Sequence, residues 1–451
     1  MAQEAVDLGK VSNVDIPLTP RERRLERVGD VLRWGAILNA IFTLLVLVIT
    51  VIAAAGENSE LARTLSDVLM LRSGGLREDA VLLAVVLLTL GNISALLVAM
   101  VGVLAQEIWA LALLAAIVIA NVIGLVLLGF LPGLISIGFA VLSGVILFAD
   151  LRAFRTNPVM LKEVRERMRG ARAFVVITVY LGLMSGFTVL LYLIRRGLVD
   201  TSGSAVTGEL GRVLFAGVVG LELLLIIFIA PAFTAGAVTS ERERKTFDLL
   251  QITLLPRPSF IIGKLESALT YIFLLLLAAI PLQSIAFLFG GVSETELVLA
   301  FLILAVTAIT LGTVGLFFST LVDRTLTASV RAYTVAFAVT VGLPIVLGWF
   351  IGFFQSALTG TGTNITNSPV IEAALIYFGA FLVSMNPILT ALATRELLVN
   401  RQEIGFWTAT LSSDGSQIPL ASPWISFTIL YLVVSTILVV LAVRRMRRAE
   451  V

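Results

Sequence analysis

Apolar runs of about 20 residues recur along almost the whole chain, separated by short polar or charged stretches. A helix needs about 20 apolar residues to cross the hydrocarbon core of a bilayer, because each residue advances it by only about 1.5 Å. By that measure four spans fall in the first third, at about 32–55, 80–104, 108–130 and 132–149. Five more follow at about 173–194, 212–235, 260–289, 297–319 and 330–354, and a last one covers 424–443. The run 372–393 is apolar but is interrupted at Asn386–Pro387, a pair that favours a turn. The pattern predicts an all-α polytopic membrane protein of about ten transmembrane helices.

Composition agrees. Of 451 residues, 58% are hydrophobic and 14% charged, against about 25% charged in a soluble globular chain. The absence of cysteine excludes disulfides, thiolate metal sites and thiol chemistry, and the absence of histidine removes the commonest general base and metal ligand. No metal site is expected. A net charge of +2 gives no argument for nucleic acid. The first thirty residues are mostly polar and lack the form of a cleavable signal peptide, so the first span is expected to serve as an internal membrane signal.

Charge then orients the spans. With ten of them both termini share one side, and that side holds 24 of the 32 lysines and arginines. Basic residues collect on the cytoplasmic side of membrane proteins, which places both termini in the cytoplasm. If 372–393 also crossed, the C-terminal RRMRR would face outward, so this run is expected to be a re-entrant or surface-lying hairpin turning at Asn386–Pro387. The chain divides into an N-terminal module, 1–150, with about four spans, and a second region, 151–451, with about six. The module carries few polar residues, chiefly Asn39, Asn92, Glu107 and Asn121, and suggests no chemistry of its own.

Two short charged segments lie on the side assigned to the cytoplasm. In NPVMLKEVRERMRG, Asn157 can cap a helix, Pro158 suits its first turn and Gly170 can end it. Leu161, Val164 and Met168 form one stripe, while Lys162, Glu163, Arg165, Glu166, Arg167 and Arg169 cover the rest. Such a helix is expected to lie in the headgroup layer with its arginines toward anionic lipid; an ordinary juxtamembrane basic cluster would look similar. In TSERERKTFDLLQ, 239–251, Ser240 and Glu243 have capping-box spacing, Glu241 and Lys245 have ion-pair spacing, and Phe247, Leu250 and Leu254 form a narrow stripe before the PRP at 256–258. This predicts a helix over about 240–253. It could be a solvated loop helix, but the aromatic anchor and charges of both signs favour docking onto another protein.

The stretch APAFTAGAVTSERERKTFDLLQITLLPRPSFIIGKL, 230–265, resembles the central signature of bacterial ATP-binding-cassette exporter permeases of the ABC type-2 family. Pro231, Thr234, Ala235, Gly236, Ala237, Glu241, Arg242, Glu243, Thr246, Asp248, Leu249, Leu250, Gly263, Lys264 and Leu265 match it, with Val238 where isoleucine is usual. The segment 157–170 is similar to the family's elbow helix, and FGGVSETEL (289–297) and GLFFSTLVDRT (315–325) also resemble family segments. The likeness covers about 151–451, and the four extra N-terminal spans depart from the minimal six-span permease. It implies a permease subunit of the cell membrane that works as a homo- or heterodimer, in contact with lipid, with two separate ATPase subunits that bind the ATP and magnesium. It also implies that Glu241, Arg242, Glu243, Arg244, Thr246, Phe247, Asp248 and Leu250 form the coupling helix, and Asn157, Pro158, Lys162, Glu163, Arg165, Arg167 and Arg169 the elbow helix. No G-x-x-x-x-G-K-[ST] phosphate loop occurs in the chain, so it is not expected to be an ATPase itself. Two other classes compete: an ion-coupled secondary transporter, for which Glu222 is the main intramembrane acid, and a membrane scaffold that assembles an extracellular enzyme. The apolar walls mildly favour a lipid-like or amphipathic substrate.

Overall fold

The computed structural model describes residues 20–55, 69, 78–154, 156–169, 171–198, 204–246, 257–349, 369–411, 415 and 417–448. Among them, ten helices are long and apolar enough to cross a membrane. The chain is an all-α polytopic membrane protein, with one small strand pair that the hydropathy pattern did not announce.

The first four long helices are α1 (Pro20–Ala55), α2 (Glu78–Leu104), α3 (Ile108–Leu128) and α4 (Gly133–Leu147). Helix α1 starts twelve residues before the apolar run, because the Arg- and Glu-rich segment at its start is itself helical. The few polar residues of this module join its helices. Asn92 and Asn121 exchange two amide hydrogen bonds of 2.8 and 2.9 Å between α2 and α3. The Thr43 hydroxyl meets that of Thr89 at 2.8 Å between α1 and α2. Without water in the hydrocarbon core, such groups find partners on neighbouring helices, each pair contributing about 0.6–2 kcal/mol.

Helix α5 (Pro158–Met168) follows, then α6 (Ala171–Leu198), α7 (Ser204–Thr234), the short α8 (Thr239–Glu243), α9 (Arg257–Leu288) and α10 (Glu294–Leu321). Helix α11 (Thr325–Phe337) runs into a π turn at Ala338–Gly342. Helices α12 (Pro369–Ser384) and α13 (Pro387–Glu396) form the interrupted pair, β1 (Phe406–Thr410) and β2 (Gln417–Ala421) an antiparallel hairpin, and α14 (Pro423–Arg448) the last span. Ser293 and Glu296 close a reciprocal capping box at the start of α10. Helices α7 and α10 approach closely at Gly315, where an added Cβ would meet the Thr234 hydroxyl at 2.1 Å.

The break at Asn386–Pro387 is a sharp one: α12 and α13 meet at 116°. Asn386 caps α13 by accepting from the Leu389 amide, and its own amide donates to the carbonyls of Val339 and Thr340 at 2.7 and 3.0 Å. Those carbonyls belong to the π turn, so one side chain joins two irregular places in the backbone.

The module over 1–150 does not pack as a separate body. One buried cluster joins Leu25, Leu32, Leu96 and Leu147 of the module to Phe154 and Ile262, with Val439 and Val440 against it. The chain boundary near 150 is crossed by continuous apolar packing onto α9 and α14.

Candidate functional site

Between α7 and α9 the chain forms a charged knot centred on α8. This helix is shorter than its sequence suggests. It ends at Glu243, and Lys245 takes a left-handed conformation with φ of 57°. The reason is local: the Thr246 amide donates back to the Glu241 carbonyl at 3.0 Å, and the Lys245 amide to that of Arg242 at 3.0 Å, closing the helix one turn after it begins. The helix expected over 240–253 thus ends at Glu243 among the described residues, and 247–253 lie outside them. Phe247, Asp248 and Leu250, assigned to the same helix, lie outside the described residues. Arg257 and Pro258 sit in the first turn of α9, so this part of the PRP segment starts the next helix.

The capping box expected of Ser240 and Glu243 does not form. The Ser240 hydroxyl donates instead to the Gly236 carbonyl at 2.5 Å, because residue 240 already lies within the turns that continue from α7. Glu243 reaches across to Thr325, whose amide and hydroxyl lie 2.7 and 2.9 Å from its carboxylate. Glu241 does not serve Lys245 either. It accepts from Lys264 at 3.0 Å and from the Thr246 hydroxyl.

Each remaining side of α8 is held by a different element. Arg242 pairs with Asp323 at 3.0 Å and donates to the Val322 carbonyl at 3.2 Å. The Ser319 hydroxyl accepts from the amides of Val238 and Thr239 at 2.9 and 3.1 Å. Lys264, buried on α9, bridges Glu241 to Glu163 of α5. Ser267 also donates to Glu163, at 2.8 Å. The knot thus ties α5, the α7–α8 junction, α9 and the α10–α11 loop into one unit. Arg244 and Lys245 are exposed at its tip.

Helix α5 is capped as its sequence predicts: the Asn157 side chain accepts from the Val159 amide at 2.9 Å, and Pro158 occupies the first turn. Its C-cap is Arg169; Gly170 lies outside the described residues. The faces, however, divide differently from the expectation. Leu161 and Met168 are exposed, while Glu163 and Arg167 turn inward. Arg167 lies over the Phe233 ring, 5.3 Å from its centre, and pairs with Glu163 at 3.5 Å. The apolar stripe is left to face the surroundings, because α5 is held to the bundle by charge. Lys162, Arg165 and Arg169 are exposed.

Glu107, in the turn between α2 and α3, completes the picture. It accepts from the Asn157 amide at 2.6 Å, and Asn157 donates also to the Ser259 carbonyl at 2.6 Å. Both donor hydrogens and the acceptor oxygen of this amide are engaged, across three elements. The approach is close enough to require Gly263, where a Cβ would lie 2.7 Å from the Asn157 amide atoms. Burial, with repulsion from Glu266, pushes the Glu107 carboxyl up to about 7 against the opposing donor Asn157. Beside it, Trp109 donates its indole N–H to Glu266 of α9.

Glu222 is fully buried within α7 and accepts from the Gln283 amide of α9 at 2.6 Å. Its Oε1 and the Gln283 Oε1 have no hydrogen-bond partner among the described residues.

A scan of protein-family models finds none that matches the chain, and a search of curated proteins finds no relative.

Proposed function

We propose that this chain is the membrane permease subunit of an ATP-driven exporter, with α8 and the residues after it forming the contact for a separate ATPase. The observation that carries the reading is the charged knot. The segments quoted above for their likeness to ABC type-2 permeases, around Glu163, Glu241, Lys264 and Asp323, meet at one short helix between two spans. A force applied to that helix would reach α5, α7, α9 and α10 together, which is what coupling requires: a partner's closure must bias which way the spans lean. Exposed Arg244 and Lys245 sit where a partner would approach, and Phe247 and Leu250 supply apolar anchors in the adjoining sequence. ATP and magnesium would be held by that partner, and two copies of the chain would assemble in the cell membrane with both termini cytoplasmic.

The test is a double change, Phe247→Ala with Leu250→Ala. It should leave the chain inserted in the membrane and release the ATPase, since truncating such anchors typically costs about 2 kcal/mol or more in binding. Substrate-stimulated ATP hydrolysis should be lost with it. Wild-type co-purification together with normal stimulation would overturn the reading.

The buried Glu222–Gln283 pair favours a second reading, an ion-coupled secondary transporter, because an acid inside the membrane with an unpartnered oxygen can carry a proton. Transport that persists without ATP, responds to a proton gradient and is lost in Glu222→Gln would favour it over the first.

A further inference from the structure

A second polar site lies at the other end of the bundle. On α10, Glu296 and Ser319 stand 23 positions apart, about 35 Å at 1.5 Å per residue. Ser319 touches α8; Glu296 borders a partly open cavity of about 120 Å³ lined by α7, α10 and α13. Its walls are apolar: Phe215 and Leu223 from α7, Leu299 and Ile303 from α10, Ile388 and Leu392 from α13. Three polar side chains interrupt them: Glu296, Thr394 and Arg395.

The state of these three groups is unusual. Glu296 is 8% exposed and Thr394 3% exposed. The Glu296 Oε1 is engaged in the capping box with Ser293, but its Oε2 is buried without a partner among the described residues. The Thr394 hydroxyl is likewise buried and unpartnered among the described residues. Arg395 lines the same cavity half-buried, and no ion pair joins it to Glu296 or to any other described residue. Buried polar atoms nearly always find a partner, and an acid and a base sharing a low-dielectric cavity attract strongly. Here both charges border one space without meeting across it.

We propose that this cavity binds a small zwitterion with an apolar body, its ammonium on Glu296 Oε2 and its anionic group on Arg395. Thr394 supplies a further hydrogen bond, and the Leu, Ile and Phe walls take the apolar part. The volume is close to the roughly 150 Å³ that accommodates a benzene ring, so one ring or a short branched chain fits. The same chemistry, an ammonium near an anion on an apolar body, comes from a free amino acid or from the headgroup of a zwitterionic lipid. This inference goes beyond the proposed function and concerns binding alone, so no ATPase enters its test.

The full chain in detergent is titrated calorimetrically with L-phenylalanine, 2-phenylethylamine and 3-phenylpropionate, which share one ring and differ in charge. Phenylalanine should bind at least tenfold more tightly than either single-charge analogue. Glu296→Gln should weaken phenylalanine at least tenfold while leaving 3-phenylpropionate unchanged. This substitution keeps the N-cap, because glutamine serves equally in a capping box. Arg395→Gln should weaken phenylalanine and 3-phenylpropionate at least tenfold while leaving 2-phenylethylamine unchanged. In parallel, native mass spectrometry compares retained phosphatidylethanolamine with phosphatidylglycerol after extraction from vesicles of both. Retention of the former, reduced in both variants, without phenylalanine binding would assign the zwitterion to the bilayer. If neither probe binds in a manner dependent on Glu296 and Arg395, the cavity holds only water and the proposal fails.

Discussion

Asn157 and Glu107, 50 residues apart in sequence, meet through a 2.6 Å amide-to-carboxylate hydrogen bond. The same asparagine caps α5 and holds the first turn of α9 through the Ser259 carbonyl. One neutral side chain therefore joins the four-helix module to the elements that grip α8. A module with no evident chemistry of its own becomes a brace for the helix proposed to receive force from the ATPase.

Asn157→Ala should be markedly destabilising for a surface-level helix cap. Loss of the cap costs about 0.5–2 kcal/mol, and leaving the buried Glu107 oxygen without its donor adds about 1–3 kcal/mol. Thermal unfolding in detergent should show a drop of several degrees, and Gly263→Ala should reproduce part of it by pushing the amide out of place. A melting curve unchanged by either substitution would contradict the joint described here.

Glu107 makes stability depend on pH. Its carboxyl titrates at about 7 in the folded chain against 4.5 as the ordinary value, with burial the main cause. Below 4.5 both folded and unfolded chains hold the proton. As pH rises from 4.5 to about 7 the unfolded chain releases it first, so stability falls across that window and levels off above it. Glu107→Gln should flatten the decline between pH 5 and 7. An unaltered pH profile in this variant would assign the titration elsewhere.

Lys264 stands between Glu163 and Glu241, mostly shielded from water. Lys264→Met should destabilise by about 3 kcal/mol, because the buried cation shared by two carboxylates is lost and Glu163 keeps only the longer contact with Arg167. Adding Glu163→Gln should restore about 1 kcal/mol or more, as one of the opposed charges is then gone. If the double variant is no better than the single one, the bridge contributes less than its geometry suggests.

The absence of native cysteine permits a direct test of the bent pair. Single cysteines at Ser368 and Ser413 should both react with an impermeant reagent in intact cells, if α12 and α13 enter and leave from the same side. Labelling at 368 with protection at 413 would mean that the pair crosses, and the orientation drawn from the basic residues would need to be reversed for the C-terminus.

How much of this was legible in the sequence differs from element to element, and the physics explains the division. The ten spans were readable because lipid imposes a length and a composition on any crossing helix, whatever its neighbours. The turn at Asn386–Pro387 and the cap at Asn157 were readable because both depend on residues adjacent in the chain. The side-chain partners around α8 were not. Ser240 and Glu243 have capping-box spacing, yet Thr325 takes the glutamate; Glu241 and Lys245 have ion-pair spacing, yet Lys264 takes Glu241. Local spacing offers each charge a partner worth a few tenths of a kcal/mol. For Glu241 a buried lysine brought by another helix is worth more, because less water screens the pair, and Glu243 gains two donors at once from Thr325, its amide and its hydroxyl. The same holds for α5, whose charged face turns inward to meet Lys264 and Phe233 and leaves its apolar stripe outside. The cavity at Glu296 and Arg395 had no signature at all, since its three polar groups come from helices almost 100 residues apart and only their packing makes one site. The sequence alone determined what crosses the membrane and the turn at Asn386–Pro387; the tertiary structure decided which charge meets which.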